Sequence, residues 1–397
     1  IIIVFFFLSK HEIKLIFQNK LIMFLALFCV YILFNTLLNS NTILQLSNLL
    51  YLRFLIFAVA IFIVLDFGLR INKNFINFFL LIIFSLIISG IVEFLLGYTI
   101  FKNGESLNHF GRISGFFGKE YILGSFLLKL LPIIFWYNLK NKFSFNNNIT
   151  FTTFFFGLYF LTIYLSGERT AFYLLIIFLI ICFLFLHYLR KIIIYSSLIS
   201  IVCVIIFSSF SLGIHDPNNR IFIKTFNQIS NQQFTNKGFD FKKENFEILF
   251  KNLKIFSSAH QGHIELALYL FKQNPMFGVG PEGYRVYCAK VKQEANVGQC
   301  SIHPHNFFFQ ILSELGIVGI IFYLVIAGFF LKQFLSIINS KTKYKNDDKD
   351  LFLLANFMIL VHLFPILPSG NFFSNSTSLL LYFSVGIYLY SYKKIFK

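Results

Sequence analysis

Apolar residues fall along this chain in long, nearly unbroken runs, not at the period of a half-buried strand or a surface helix. Ten runs approach the roughly twenty residues that a helix needs to cross a bilayer: 21–38, 49–66, 75–97, 121–138, 149–166, 170–188, 192–212, 306–335, 351–367 and 376–391. The pattern predicts an all-α polytopic membrane protein of about ten transmembrane helices. Residues 1–212 would hold helices one to seven, 213–305 one large loop containing short helices, and 306–397 helices eight to ten. Residues 1–8 are apolar but too short to span, and the chain opens on Ile1, so an incomplete N-terminal end is expected. No segment reads as a cleavable signal peptide, and no repeat of 20–50 residues is evident.

Composition agrees with the pattern. Of 397 residues, 57% are hydrophobic and 13% charged, with mean hydropathy +0.73. A soluble domain is roughly 45–50% apolar and about 25% charged, and a disordered chain is poorer still in apolar residues. The abundance of Phe, Ile, Asn and Lys reads as codon bias in an A/T-rich genome and carries no function. Charge adds a question, because 34 Lys and Arg against 17 Asp and Glu give +17. Nucleic acid, an anionic membrane face or a phosphate-bearing substrate would each suit that balance.

Orientation answers half of it. Short cytoplasmic loops collect Lys and Arg, while long loops are exempt. One set of alternate loops and termini carries seventeen basic residues, and the short loops of the other carry four: Lys102, Arg112, Lys119 and Arg169. Both termini are therefore expected in the cytoplasm and 213–305 outside, with eleven further Lys and Arg. Nucleic acid falls away as a partner. The outward-facing basic residues still call for an anion.

Cys29, Cys182 and Cys203 lie in apolar runs, whereas Cys288 and Cys300 share the long outer loop, where a disulfide is expected. Zinc with His303 and His305 is the alternative, but eleven intervening residues match no usual metal-site spacing. Within the loop, 263–274 reads as an amphipathic helix with Ile264, Ala267, Leu268 and Phe271 on one face. Pro275 ends it, and Gly278-Val279-Gly280-Pro281-Glu282-Gly283 reads as a structural turn. It follows a helix, not a strand, so a dinucleotide role is not expected.

Charges inside membrane segments default to functional hypotheses. Asp66 sits at a cytoplasmic end, while Arg53, Glu93, Lys129 and Glu314 all fall in the outer halves of their helices. They either form internal ion pairs that hold helices together or line a hydrated cavity open to the outer face; Glu314 would orient a helix or pair with Lys129 or Arg53. Three constellations converge on that face: Gly111 to Glu120, the hairpin Ser166-Gly167-Glu168-Arg169-Thr170, and Ser301-Ile302-His303-Pro304-His305-Asn306. Asn306 suits a helix N-cap. Arginine grips phosphate bidentately, and histidine serves as a base near neutral pH. Together they fit a transfer in which a phosphate-bearing group leaves and a hydroxyl attacks. The acidic cluster Asp347-Asp348-Lys349-Asp350 falls on the cytoplasmic side. Arginines, with no metal or other cofactor, are therefore expected to neutralise the leaving group.

The stretch His303-Pro304-His305-Asn306, followed by Gln310-Ile311-Leu312 and Glu314-Leu315-Gly316-Ile317-Val318-Gly319, resembles the O-antigen ligase/polymerase family of bacterial membrane glycan transferases. Asn274 to Pro281, Ser166 to Thr170 and Arg112 to Gly118 support the resemblance, which covers about 105–325. It implies an inner-membrane enzyme whose large loop and active site face the periplasm. The implied donor is an undecaprenyl-diphosphate-linked glycan and the implied acceptor lipid A-core, or another lipid-linked repeat for a polymerase. By motif position, His305 corresponds to the essential His, with His303 a second candidate base. Arg112 and Arg169 correspond to the diphosphate-handling arginines. Lys119, Glu168, Arg53, Asn306 and Glu314 complete the candidate substrate-binding set, although Glu168 departs from the family's commoner Ser. The His-Asn pair favours a ligase over a polymerase. A transporter or flippase for lipid-linked glycan is the alternative of another class, though no two-halved symmetry is evident.

Overall fold

The computed structural model describes residues 19–39, 41–68, 73–98, 112–118, 120–140, 149–210, 217–223, 225, 258–295, 300–339, 346–364 and 369–396. The expected stub 1–8, Lys102, Lys119 and loop residues 226–257 lie outside them. The described residues are helical, with no strand among them. In chain order the main helices are α1 (Lys20–Asn39), α2 (Leu52–Asp66), α3 (Lys73–Leu96), α4 (Leu123–Lys140), α5 (Ile149–Leu165) and α6 (Arg169–Phe185). There follow α7 (Arg190–Phe210), α8 (Ser258–Gln273), α9 (Gly283–Ala295), α10 (Phe307–Asn339), α11 (Asn346–His362) and α12 (Asn375–Phe396).

Ten of these coincide with the ten apolar runs, and α8 and α9 fall between two of those runs, within 213–305. Among the described residues, five stretches are long and apolar enough to cross a membrane: Lys20–Asn39, Ile43–Asp66, Asn77–Leu96, His187–Phe207 and Phe307–Asn339. The protein is a multi-pass membrane protein. Its burial pattern fits an apolar solvent. Leu37, Leu81 and Ile205 are about 60% exposed, while Asn35, Gln45, Gln310 and Glu314 are wholly buried. In lipid, polar groups must be satisfied inside the protein.

The chain forms two compact units, one of Ile1–Leu69 with Asp240–Lys397 and one of Arg70–Phe239. In the first, α12 packs on α2 and α11, and α10 packs on α8 and α11. A Cβ on Gly386 of α12 would stand 2.6 Å from Ala58 O of α2, the close approach that small residues allow between apolar helices. Lys393 pairs with Asp66 at 2.6 Å and joins the same two helices at their ends. In the second unit α5 is central, touching α3, α4, α6 and α7.

One irregularity organises the first unit. Helix α10 breaks at Gly316, with φ 66° and ψ −162°. The turn after α8 docks into the break: Val279 N donates to Ser313 O (3.0 Å), Gly280 N to Glu314 O (2.9 Å) and Ile317 N to Pro275 O (2.9 Å). Side chains of α1 and of the short helix Ile43–Leu46 serve carbonyls at the junction. Tyr31 Oη donates to Leu315 O (2.5 Å), Asn35 Nδ2 to Phe277 O (2.5 Å) and Gln45 Nε2 to Val279 O (3.4 Å). A Cβ on Gly316 would lie 2.7 Å from Gly278 N, so this position needs glycine for both its φ and its space. Gly316→Ala is expected to destabilise the detergent-solubilised protein by about 1–3 kcal/mol. Gly328→Ala, in α10 where a Cβ meets nothing within 4 Å, should be neutral or stabilising. Equal unfolding midpoints for the two variants would contradict the clasp.

Candidate functional site

Each unit carries a candidate centre. In the second unit, Glu93 near the end of α3 turns inward to the loop ahead of α4. It accepts hydrogen bonds from Ser114 N (3.0 Å), Ser114 Oγ (3.2 Å) and Gly115 N. This fixes the backbone beside Arg112. Glu168, in the hairpin between α5 and α6, accepts from Gly124 N (2.7 Å) and Ser125 N (3.3 Å) in the first turn of α4. A carboxylate suits the exposed amides and positive dipole of a helix start.

Arg112 lies 3.8 Å from Glu168, donates to Tyr121 O and stacks 5.2 Å over the Tyr121 ring. Its Nε is buried and has no hydrogen-bond partner. Arg169 opens α6. Arg220 belongs to the π-helical turn Asn219–Ile223 and donates from Nε to Gly167 O at 2.9 Å. That turn is tied down by Tyr173 Oη donating to Ile221 O at 3.1 Å and by Tyr164 donating to Asn218. Burial lowers the Arg112 and Arg220 guanidinium pKa values; for Arg220 the neighbouring Arg112 and Arg169 push the same way, and Glu168 opposes both. Burial raises the Glu168 carboxyl, against the pull of Arg112 and its amide donors. Lys129 is also within electrostatic reach of Glu168. The centre is three arginines gathered around one carboxylate. Arg220 was not among the sequence candidates. The turn residues Pro217-Asn218-Asn219 ahead of it are a weak signal, because they mark a bend and not its neighbours.

In the first unit, four imidazoles cluster. His303 lies 4.2 Å from His305 between ring centroids, His263 5.1 Å and His260 5.5 Å. His260 and His263 were missed by the sequence reading. Their i, i+3 spacing on α8 was the available signal, since it places both on one helix face. Tyr284 Oη, from α9, lies 3.5 Å from His263 Nδ1, and Ser301 Oγ 3.1 Å from His305 Nε2. His305 adopts φ 57°, and its carbonyl accepts from Ser369 N at 2.8 Å. Asn306 caps α10, accepting from Phe309 N at 3.1 Å.

Cys288 and Cys300 form a disulfide with Cα atoms 5.3 Å apart. Cys288 sits in a small core with Leu266, Ala267, Leu270, Tyr284 and Val291. Helix α8 therefore buries Ile264, Leu266, Ala267 and Leu270, while Leu268 and Phe271, expected on its apolar face, are only half-buried. The presence of α9, unforeseen in the sequence, draws the face round towards itself.

Glu314 pairs with neither cation proposed for it. It accepts from Tyr284 N (3.0 Å) and from Gln310 Nε2 (3.1 Å). Gln310 and Asn371 extend the network to Glu282 Oε1, reached by Asn371 Nδ2 at 2.8 Å. Burial raises the Glu282 carboxyl against Asn371 and Arg285. Arg53 instead donates to Asn375 Oδ1 at 2.7 Å and lies over the Phe54 ring. Lys119 falls outside the described residues.

His303 is 6% exposed, and neither ring nitrogen has a hydrogen-bond partner of good geometry. Burial, then the neighbouring His263 and His260, push its pKa down to about 4, with the Ser369 backbone opposing. The unfolded chain would bind this proton near the ordinary 6.5 and the folded protein only near 4. Unfolding free energy should therefore fall as pH drops between those values and be insensitive to this group outside them. His303→Gln is expected to flatten that slope in denaturant unfolding. An unchanged slope would contradict the burial argument.

Comparison with curated proteins and with solved structures gives no match. A family model does match. Residues 154–324 fit the one described as O-Antigen ligase, a stretch that takes in Glu168, Arg169, Arg220, all four clustered histidines and Glu314. With the Glu-x-Gly break of α10 and the His-Asn cap at its start, residues 154–324 belong to the O-antigen ligase family.

Proposed function

We propose that the protein is an O-antigen ligase-like glycosyltransferase with about ten transmembrane helices. It moves a glycan from undecaprenyl diphosphate onto lipid A-core, or a comparable acceptor, at the periplasmic face of the bacterial inner membrane. The observation that carries this reading is the arginine centre. Arg112, Arg169 and Arg220 exceed the charge of Glu168, and Arg112 Nε is buried without a partner. Such a centre favours a multivalent anion with several acceptor oxygens, which a diphosphate supplies.

In the proposed reaction the acceptor hydroxyl oxygen bonds to the anomeric carbon as the bond from that carbon to the diphosphate oxygen breaks. The configuration inverts. The hydroxyl proton passes to His305, and the arginines hold the departing lipid diphosphate. The charge distribution supports the orientation, because basic residues of the short loops mark the opposite side as cytoplasmic. No step calls on a metal, since guanidinium groups meet the developing charge.

The test is a transfer assay on protein purified in detergent, with lipid-linked glycan as donor and lipid A-core as acceptor. His305→Ala should lower the rate by about 10²–10⁴-fold, the usual worth of a general base. Arg169→Lys keeps the charge and loses the planar fork, so it should weaken donor use while leaving acceptor KM unchanged. Near-wild-type transfer by His305→Ala would remove the base assignment. Unchanged donor KM and kcat in the Arg112→Lys, Arg169→Lys and Arg220→Lys variants would remove the diphosphate role.

A further inference from the structure

His305 occupies a backbone conformation that a residue with a side chain rarely adopts, with φ 57°. Such a conformation is strained and persists only where its surroundings fix it. Two hydrogen bonds do so here. Ser369 N holds its carbonyl at 2.8 Å, and Ser301 Oγ meets its Nε2 at 3.1 Å. The first fixes the backbone. The second holds the ring at Nε2.

Ser301 is itself anchored. It follows Cys300 directly, and Cys300 is bonded to Cys288, which is 2% exposed in the core between α8 and α9. The disulfide therefore fixes the start of the segment 300–306 to a packed helix pair, with the Ser301 hydroxyl one residue from the anchor. The other groups against the ring are titratable: His260 and His263 from α8, with Tyr284 of α9 behind His263, and His303 from its own loop. A proton on any of those imidazoles would repel an imidazolium at His305. A hydroxyl is different. In the tautomer with the hydrogen on Nε2, Ser301 Oγ accepts from Nε2–H, which leaves the Nδ1 lone pair free to take the acceptor's proton, and the same bond persists when the ring is protonated.

We propose that Ser301, fixed by the Cys288–Cys300 disulfide, is the positioning residue that orients the His305 imidazole for proton abstraction. The inference rests on the reading of His305 as the base. It adds a covalent element, because the disulfide would act on the base through Ser301.

The experiment uses the full chain purified in detergent. The donor is lipid-linked polymer extracted from a strain lacking the gene, and the acceptor is lipid A-core. Ser301→Ala should lower kcat by about 10–100-fold, the scale expected when a reacting group is misplaced by about 1 Å. Donor KM should stay within about twofold, because the diphosphate contacts are untouched. Ser301→Thr, which keeps the hydroxyl, should restore most of the rate, and it serves as the second probe should the alanine variant accumulate poorly. Replacing both cysteines by alanine should lower kcat similarly, and adding Ser301→Ala to that variant should cause little further loss, as expected of residues acting through one contact. Two results would overturn the proposal: a wild-type kcat in Ser301→Ala, or losses from the cysteine and serine changes that multiply. If His305→Ala is inactive while Ser301→Ala is fully active, only the positioning role fails. A fully active His305→Ala removes the base reading and the positioning role with it.

Discussion

A carboxylate buried among apolar helices has no water to satisfy it and must find donors within the chain. Here three of them find backbone amides. Glu93 takes those of Ser114 and Gly115, Glu168 those of Gly124 and Ser125, and Glu314 that of Tyr284. In every case the amides belong to a loop or helix start next to residues the proposed chemistry uses. Glu93 fixes the backbone beside Arg112, Glu168 joins the α5–α6 hairpin to α4, and Glu314 holds α9 against α10. Breaking such a contact would strand a buried charge, which costs far more than the contact contributes when intact.

The break at Gly316 works with Glu314. A helix interrupted inside a membrane protein exposes carbonyls that need donors, and the turn at 275–280 supplies amides to two of them while Tyr31 supplies a hydroxyl to a third. The turn between helices α8 and α9 thereby attaches to α10 through main-chain hydrogen bonds. His260 and His263 ride on α8, and His303 and His305 on the segment that leads into α10. The Glu-x-Gly pattern is thus a structural clasp under the histidine cluster, and its glutamate need not touch substrate to matter.

Much of the architecture was legible in the sequence, because long apolar runs leave little choice but helix. The ten runs are ten helices, and the family resemblance at 303–319 agrees with the family match. Partner choice was not legible. Glu314 was expected to orient a helix or to meet a cation; its partners are Tyr284 N and Gln310, and an amide thirty residues away carries no sequence mark. His260 and His263 escaped notice because their proximity to His305 is set by the packing of α8 on α10 and not by local spacing. Helix α9 was hidden by its charged residues, which read as loop when its apolar face, Tyr284, Cys288 and Val291, was not recognised. Arg220 became visible only when its turn was seen to fold back onto Gly167.

Transfer of a finished glycan from a lipid diphosphate to an acceptor can be read in the cell by deleting the gene and separating lipopolysaccharide and lipid-linked glycans on gels. Loss of a ligase should leave core without polymer, together with accumulation of polymer still attached to its lipid carrier. Core bearing a single repeat would contradict the ligase reading in favour of a polymerase, and unchanged lipopolysaccharide with no lipid-linked polymer accumulating would contradict it outright.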